Sequence, residues 1–586
     1  MWKFLLGVLI GIVVTVVGLF VIALAVGRLL QTKQPSVAEN SALVLKLKGE
    51  IPEEAPIEVP IPFLEQQSAP TVRDLWTSLH QAANDTRIKA VVLQPRGLVA
   101  GWGKLQELRQ DVLDFKRSGK PVYAYLQNPG SREYYLATAA DKIFLSPDDG
   151  LNIKGFLLQM LYFKNTLDKL GVQFQVDHIG RFKDAGDIYT RTGMSPETRE
   201  VYSQVLDQIY GDFCTTIAQS RHKTPDDIRS LIDMGPFLAT QAKAAGLIDT
   251  IGYEEEVYSD LKNRVGVGDL NKTGIHTYFR AAPGRGDRIA LLVGEGEIVG
   301  GEPPDSVGGQ AEIASGAFTK LIRQVRNDSG VKGVILRVDS PGGDAIASDE
   351  ILHELKLLSK AKPLVISMSD VAASGGYFIS MTGNPVLAYP DTITGSIGVL
   401  YARPNFRGLF DKVGVSEDSL TRGKLADMDA LDQPLSDAAL QKLHEQIEAT
   451  YKSFVSKVAA ARNKSFVQID TVAQGRVWMG AQADQNGLVD QLGGFDQAVA
   501  LVRKEAKLPP SGETNLVMYP PRRSLIDILT NFSPETSDGD AAQSRLREIE
   551  SAAAQSKLRE LFPNLPGAAL LKGGLLRILP YRFEVH

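Results

Sequence analysis

Apolar and polar positions in this chain follow two alternating patterns. Ile289 to Val293, Val334 to Val338 and Leu364 to Met368 are short apolar runs, as expected of strands buried on both faces. Ala347 to Leu358 carries apolar residues at helical spacing and predicts an amphipathic helix between two of those strands. Strands alternating with such helices predict an α/β fold with a largely parallel sheet. Pro52 to Pro70 and Gly300 to Gly309 are rich in Pro or Gly and follow the first strand of each half, so loops over a site are expected there. Asp540 to Leu561 reads as a charged surface helix, and Leu565 to Val585 as a Leu- and Pro-rich tail.

The strongest single pattern is Phe4 to Gly27, an unbroken apolar run whose only hydroxyl is Thr15. About 20 such residues span a bilayer, so residues 4–27 predict a transmembrane anchor. Ala23-Leu24-Ala25 resembles a cleavage site, but the run is longer than the apolar centre of a signal peptide, and an uncleaved anchor is expected. Lys3 precedes the run and Arg28 and Lys33 follow it, so positive charge does not set its orientation.

The pattern repeats. Asn84 to Leu93 matches Asn327 to Leu336, Gly119 to Tyr123 matches Ala361 to Val365, and Gln241 to Gly252 matches Gln482 to Gly493, at offsets of 243, 242 and 241 residues. A register that drifts so little marks two copies of one domain, residues 41–270 and 288–507. They are joined by a linker at 271–287 and followed by an extension at 511–586.

Duplication lets one half be compared with the other. Asp339-Ser340-Pro341-Gly342-Gly343 follows a strand, and its paired glycines let backbone N–H groups approach a ligand. The matching Arg96-Gly97-Leu98-Val99-Ala100 has no such pair. Val371-Ala372-Ala373-Ser374-Gly375-Gly376-Tyr377 delivers a serine from a buried strand to the start of a helix, where free N–H groups and the helix dipole favour a developing negative charge. Opposite it stands Ser131-Arg132-Glu133, a serine without the glycines. A nucleophile, Ser374, and oxyanion donors, Gly343 and Gly375, are therefore expected in the second copy only.

A serine nucleophile needs a base. Thr394-Gly395-Ser396-Ile397-Gly398 only approximates a nucleophile elbow, and no histidine has an evident route to Ser374; the nearest in sequence, His353, reads as solvated. A neutral lysine remains, and lowering its pKa from about 10.4 to roughly 7–8 requires apolar or small surroundings. Lys183, in Gly180-Arg181-Phe182-Lys183-Asp184-Ala185, and Lys424, in Arg422-Gly423-Lys424-Leu425-Ala426, both meet that requirement. They are not equivalent by the repeat, and composition leaves both open.

Composition changes this picture little. A length of 586 residues implies more than one domain, and 44% apolar content is ordinary for a globular protein. A net charge of -5 offers no footprint for nucleic acid. The single cysteine, Cys214, reads as a small buried residue, and no metal-ligand cluster or cofactor motif is expected.

With Asp339 to Gly343, Ala372 to Tyr377, Thr394 to Val399 and Gly180 to Lys183 in place, the chain resembles the signal peptide peptidase A family in its long, two-domain form. The resemblance covers about residues 40–507 and the anchor. It implies α/β domains similar to Clp protease and the crotonases, each a spiral of strand-strand-helix units. It also implies a serine–lysine protease in which Ser374 is the nucleophile, Lys183 the general base, and Lys424 the runner-up. Ser396 would hold the lysine amine, and the Gly343 and Gly375 amides would form the oxyanion hole. Hydrophobic peptides such as cleaved signal peptides are the implied substrates. A homotetramer anchored in lipid of the inner membrane, with its catalytic part outside the cytoplasm, is the implied assembly. Two other readings compete: a crotonase-like acyl-coenzyme A enzyme, which uses paired amides without a nucleophile, and a catalytically silent membrane scaffold.

Overall fold

The computed structural model describes residues 36–54, 69–281, 284–302, 311–521 and 574–578, with isolated helical positions at Gly7, Gly11, Thr15 and Gly18. The expected anchor otherwise lies outside the described residues. So do most of both expected loops, the expected helix at Asp540 to Leu561 and most of the tail. Among the described residues no helix is long and apolar enough to cross a membrane.

Two α/β units repeat one sheet order. In the first copy the strands run Thr250–Ile251, Lys142–Leu145, Val122–Leu126, Ile88–Val99, Ser41–Glu50 and Asn271–Gly274, each parallel to its neighbour. In the second, Gln491–Leu492, Val386–Ala388, Leu364–Ala373, Gly333–Ser340, Asp287–Glu295 and Thr514–Tyr519 follow the same order, again parallel. Side chains repeat as well. The Tyr134 hydroxyl donates to Leu247 O at 2.7 Å and that of Tyr377 to Leu488 O at 2.8 Å. Arg221 pairs with Asp249 and Arg462 with Asp490, each at 2.8 Å. The register that set Ser131 opposite Ser374 therefore holds in space.

Each sheet also extends one strand past the copy read from the sequence. Asn271–Gly274 lies in the expected linker and Thr514–Tyr519 in the expected extension. Edge strands this short carry too few residues to show a period.

The copies are packed as one body. A single apolar cluster takes in Leu43, Leu105 and Phe213 of the first copy with Leu291, Val365 and Phe495 of the second. Burial at about 1.5–3 kcal/mol per large apolar side chain makes such a junction resemble a domain interior more than a transient contact. A third sheet crosses the junction in the order Glu312–Ala314, Glu297–Val299, Gly342–Asp344, Gly574–Ile578, Val399–Asn405, Gln173–Ile179. Its last strand belongs to the first copy and pairs antiparallel with Val399–Asn405 of the second, Ile179 against Val399.

Candidate active site

The apolar run Leu364–Met368 continues as a strand to Ala373, and the helix Gly375–Ile379 begins directly after it. Ser374 stands at this corner with φ 53° and ψ −111°, a backbone conformation that a non-glycine residue adopts only under constraint. The constraint is visible: Ser374 N donates to Gly395 O at 2.8 Å, and Ser374 O accepts from Phe378 N at 2.8 Å. Gly376 is required next to it, because a Cβ there would lie 2.6 Å from Ser340 O. Gly375 is the first residue of the helix, where an N–H has no partner within the helix.

Gly343, at φ +155°, sits opposite Ile298 in the third sheet, and a Cβ would lie 2.0 Å from Ile298 O. The next residue, Asp344, caps the helix Ala345–Ala361 by accepting from Ala347 N at 2.7 Å. Paired glycines at 342 and 343 thus turn the chain from the strand Gly333–Ser340 into that helix while keeping it close to its neighbours.

Lys183 arrives from the first copy. The strand Gln173–Ile179 carries the chain to Gly180, where Phe182 N donates to Gln474 O at 2.8 Å and Lys183 N to Gly180 O at 3.1 Å. The side chain then passes two glycines of the second copy. A Cβ on Gly398 would lie 3.1 Å from Lys183 Cδ, and one on Gly475 2.6 Å from Lys183 Cβ. Nζ ends 2.9 Å from Ser374 Oγ, 3.0 Å from Ser396 Oγ and 3.1 Å from Ser396 O. Lys183 is 1% exposed, and Ser374 and Ser396 are 0% exposed. These three oxygens are neutral, whereas exposed lysines of this chain such as Lys164 and Lys452 pair with carboxylates.

The other sequence candidates lie elsewhere. Lys424 is exposed in a turn, and His353 is exposed on its helix. Ser131 is half-buried at the start of the helix Ser131–Ala137. In that copy the glycine equivalent to Gly376 is replaced by Glu133, whose carboxylate accepts from Leu98 N at 2.6 Å and Gly130 N at 2.9 Å. The chain's own acid thus occupies backbone N–H groups of both turns of the first copy. Cys214 is buried.

Three participants were not singled out by sequence reasoning. Gly475 has no motif of its own and is required only because Lys183 passes over it. Arg476 clamps the junction, reaching Glu200 and Gln204 at 2.8 Å each and lying over Phe182 and Trp478. The backbone of Gly574–Ile578 lies antiparallel between Gly342–Asp344 and Val399–Asn405, with Arg577 opposite Gly343.

Comparison with known proteins places these features in company. The family model described as Peptidase family S49 matches residues 114–268 and again 356–509. The chain is 35% identical over 507 residues to "Serine protease SPPA, chloroplastic" of Arabidopsis thaliana, covering 85% of this chain and 74% of that protein. It is also 35% identical over 451 residues to "Protease 4" of Salmonella typhi, covering 74% and 72%. A solved ClpP1 mutant from Listeria monocytogenes is 14% identical, covering 36% of this chain and 94% of that one, with a TM-score of 0.22 that is too low to speak for the fold.

Proposed function

The chain belongs to peptidase family S49 and is a serine protease of its long, two-domain form, and from that premise we propose that it cleaves peptides with a Ser374–Lys183 dyad assembled from both copies. The observation that carries this reading is the 2.9 Å contact between Lys183 Nζ and Ser374 Oγ in a buried pocket. A neutral amine has two N–H bonds and one lone pair. With the N–H bonds directed at Ser396 O and Ser396 Oγ, the lone pair faces the Ser374 hydroxyl. Lys183 takes that proton as Oγ attacks the peptide carbonyl. The Gly343 and Gly375 amides receive the oxyanion, and the lysinium then protonates the departing amine. Water opens the acyl-enzyme through the same base. The acyl-coenzyme A and scaffold readings leave the contact between amine and hydroxyl without a role.

A substrate in this reading lies extended between Gly342–Asp344 and Val399–Asn405, adding a strand to both edges in the place taken by Gly574–Ile578. Strand addition reads the backbone, which suits a protease acting on many sequences. The apolar run Phe4 to Gly27 supports a membrane anchor, and with it hydrophobic peptides such as cleaved signal peptides as substrates. The tetramer and the placement of the catalytic part outside the cytoplasm rest on the family resemblance alone.

Incubating the full chain with a synthetic signal peptide tests this reading. Fragments are expected from the wild type and none from Ser374→Ala. Equal cleavage by Ser374→Ala would overturn it.

A further inference from the structure

Each strand that leads into a loop proposed to carry the chemistry holds an aspartate near its end. Asp339 stands four residues before Gly343, and Asp370 four residues before Ser374. Asp339 Oδ1 accepts from Val371 N at 3.0 Å and so ties the two loops to each other. Asp370 reaches across the junction and accepts from Gly101 N at 2.7 Å and Lys104 N at 2.6 Å. It thereby caps the helix Trp102–Lys116 of the first copy, whose own N-cap residue, Gly101, has no side chain to do so. A Cβ on Gly101 would lie 2.4 Å from Asp370 Cγ, so glycine is what admits the carboxylate.

The Lys104 side chain turns back into the same space. Its Nζ lies 3.0 Å from Ile51 O, 3.1 Å from Asp339 Oδ2, 3.7 Å from Glu53 Oε1 and 3.8 Å from Asp370 Oδ2, and the residue is 4% exposed. Burial works against its charge, yet the carboxylates of Asp339, Glu53, Asp370 and Glu295 hold it well above the usual lysine range. The first copy thus sends two buried lysines into the second: Lys183 onto hydroxyls, and Lys104 as a fixed cation onto the aspartates of the strands that lead into the catalytic loops. At the 243-residue offset Lys104 corresponds to Ala347, Asp339 to Arg96 and Asp370 to Gln127, so this fastening occurs once, beside the one intact site.

We infer that Lys104 is a positioning residue for the protease reaction: through its ammonium and its backbone N–H it sets the spacing between the loop bearing Gly343 and the loop bearing Ser374. Oxyanion donors and nucleophile come into register only with the first copy docked. The inference rests on the protease reading above, and it makes that copy responsible for the nucleophile's surroundings as well as for the base.

The test is made on the full chain, with peptide cleavage and the rate of fluorophosphonate labelling at Ser374 as readouts. Lys104→Met keeps the length of the side chain and removes the charge. It is expected to lower kcat and the labelling rate together by about 100-fold, the effect of a misplacement near 1 Å, with KM changed less than about threefold. Lys120→Met is the stability control, because Lys120 Nζ donates to Ala82 O and Asp85 O, at 2.7 Å each, within the first copy. It should lower the melting temperature without changing kcat of the folded enzyme. If Lys104→Met does not fold, the Lys104→Met/Asp339→Asn/Asp370→Asn variant, which removes both aspartate charges along with the cation, replaces it and is expected to fold and remain slow. A folded Lys104→Met, or a folded triple variant, with wild-type kcat and labelling rate would overturn the inference. A wild type that neither cleaves peptide nor labels at Ser374 would overturn the protease reading instead.

Discussion

Lys183 and Ser374 stand 191 positions apart, in different copies of a duplicated domain, yet Lys183 Nζ lies 2.9 Å from Ser374 Oγ. In the proposed reading the two copies of the S49 domain divide one site between them. The second keeps the turning glycines and the hydroxyls, while the first has filled its own with Glu133 and supplies the amine. In the proposed mechanism neither half is competent alone.

Removing either partner should end turnover. Ser374→Ala and Lys183→Ala are each expected to lower kcat/KM by about 10⁴-fold or more, since residues that act as one unit fail together. Their double variant should be no worse than the singles. Lys424→Ala, at an exposed position, should stay within about twofold of the wild type. Steady-state cleavage of one peptide by the wild type and the four variants decides this, and loss of activity in Lys424→Ala alone would reverse the assignment of the base.

Glycine at 398 and 475 should be needed for rate. A methyl group at Gly475 would sit 2.6 Å from Lys183 Cβ on a backbone at φ +72°, and one at Gly398 would sit 3.1 Å from Lys183 Cδ. Alanine at either position crowds the lysine and is expected to shift its amine relative to Ser374. A stability cost of about 1–3 kcal/mol and a fall in kcat of about 10- to 100-fold are expected for Gly475→Ala, with a smaller effect for Gly398→Ala. Thermal melts beside kcat measurements check both, and a stable Gly475→Ala with full kcat would show that the lysine takes another route.

The legible part of this site was what a short stretch of chain dictates. The apolar strand before Ser374, the glycines after it, and Asp339 to Gly343 each declare a buried strand that turns sharply, and the absence of the paired glycines in the first copy could be read across the repeat. Contacts between the copies could not be read in that way. In the helix Trp102–Lys116 the polar residues Lys104, Glu107 and Asp111 recur at helical spacing and look like a solvated face, yet all are buried, because the surface they meet carries Arg337, Asp339 and Asp370. Gly475 is needed only where a lysine from another domain passes. The Gly574–Ile578 strand is five residues long and extends no hydrophobic period. Sequence periodicity reports how an element meets water or an apolar core, and it misleads where a charged surface meets another charged surface.

The tail should compete with substrate. Gly574–Ile578 lies in the slot between Gly342–Asp344 and Val399–Asn405, which the proposed mechanism reserves for a peptide. Ending the chain at residue 573 is expected to raise kcat/KM several-fold, roughly 3- to 10-fold, mainly by lowering KM, because an intramolecular strand acts at high effective concentration. A synthetic peptide of residues 574–586 should then inhibit the shortened enzyme competitively. Truncation without change in KM, or inhibition that does not yield to substrate, would place substrate elsewhere.

Stability should fall as pH rises from about 4 to about 7, and Asp184 should account for part of that fall. Burial pushes its carboxyl up to about 7, against the opposing effect of the Thr198 hydroxyl that donates to it. An unfolded aspartate titrates near 3.9. Between those values the folded chain keeps a proton that the unfolded chain releases, so stability declines with rising pH in this window. The contribution is complete below about pH 4 and lost once the pH has passed about 7. At 1.36 kcal/mol per pH unit, the change attributable to Asp184 is on the order of 4 kcal/mol as an upper bound. Asp184→Asn is neutral in both states and keeps an oxygen for Thr198. Glu295, pushed up to about 7, and Asp370, to about 6, both by burial, contribute a slope of the same sign to both proteins and cancel in the comparison. Urea unfolding of the wild type and of Asp184→Asn near pH 4.5, 6 and 8 should therefore show the wild type losing ground to the variant with each rise in pH. Parallel curves would mean that Asp184 is ionised in the folded protein, and that the acid beside the proposed base carries its charge throughout.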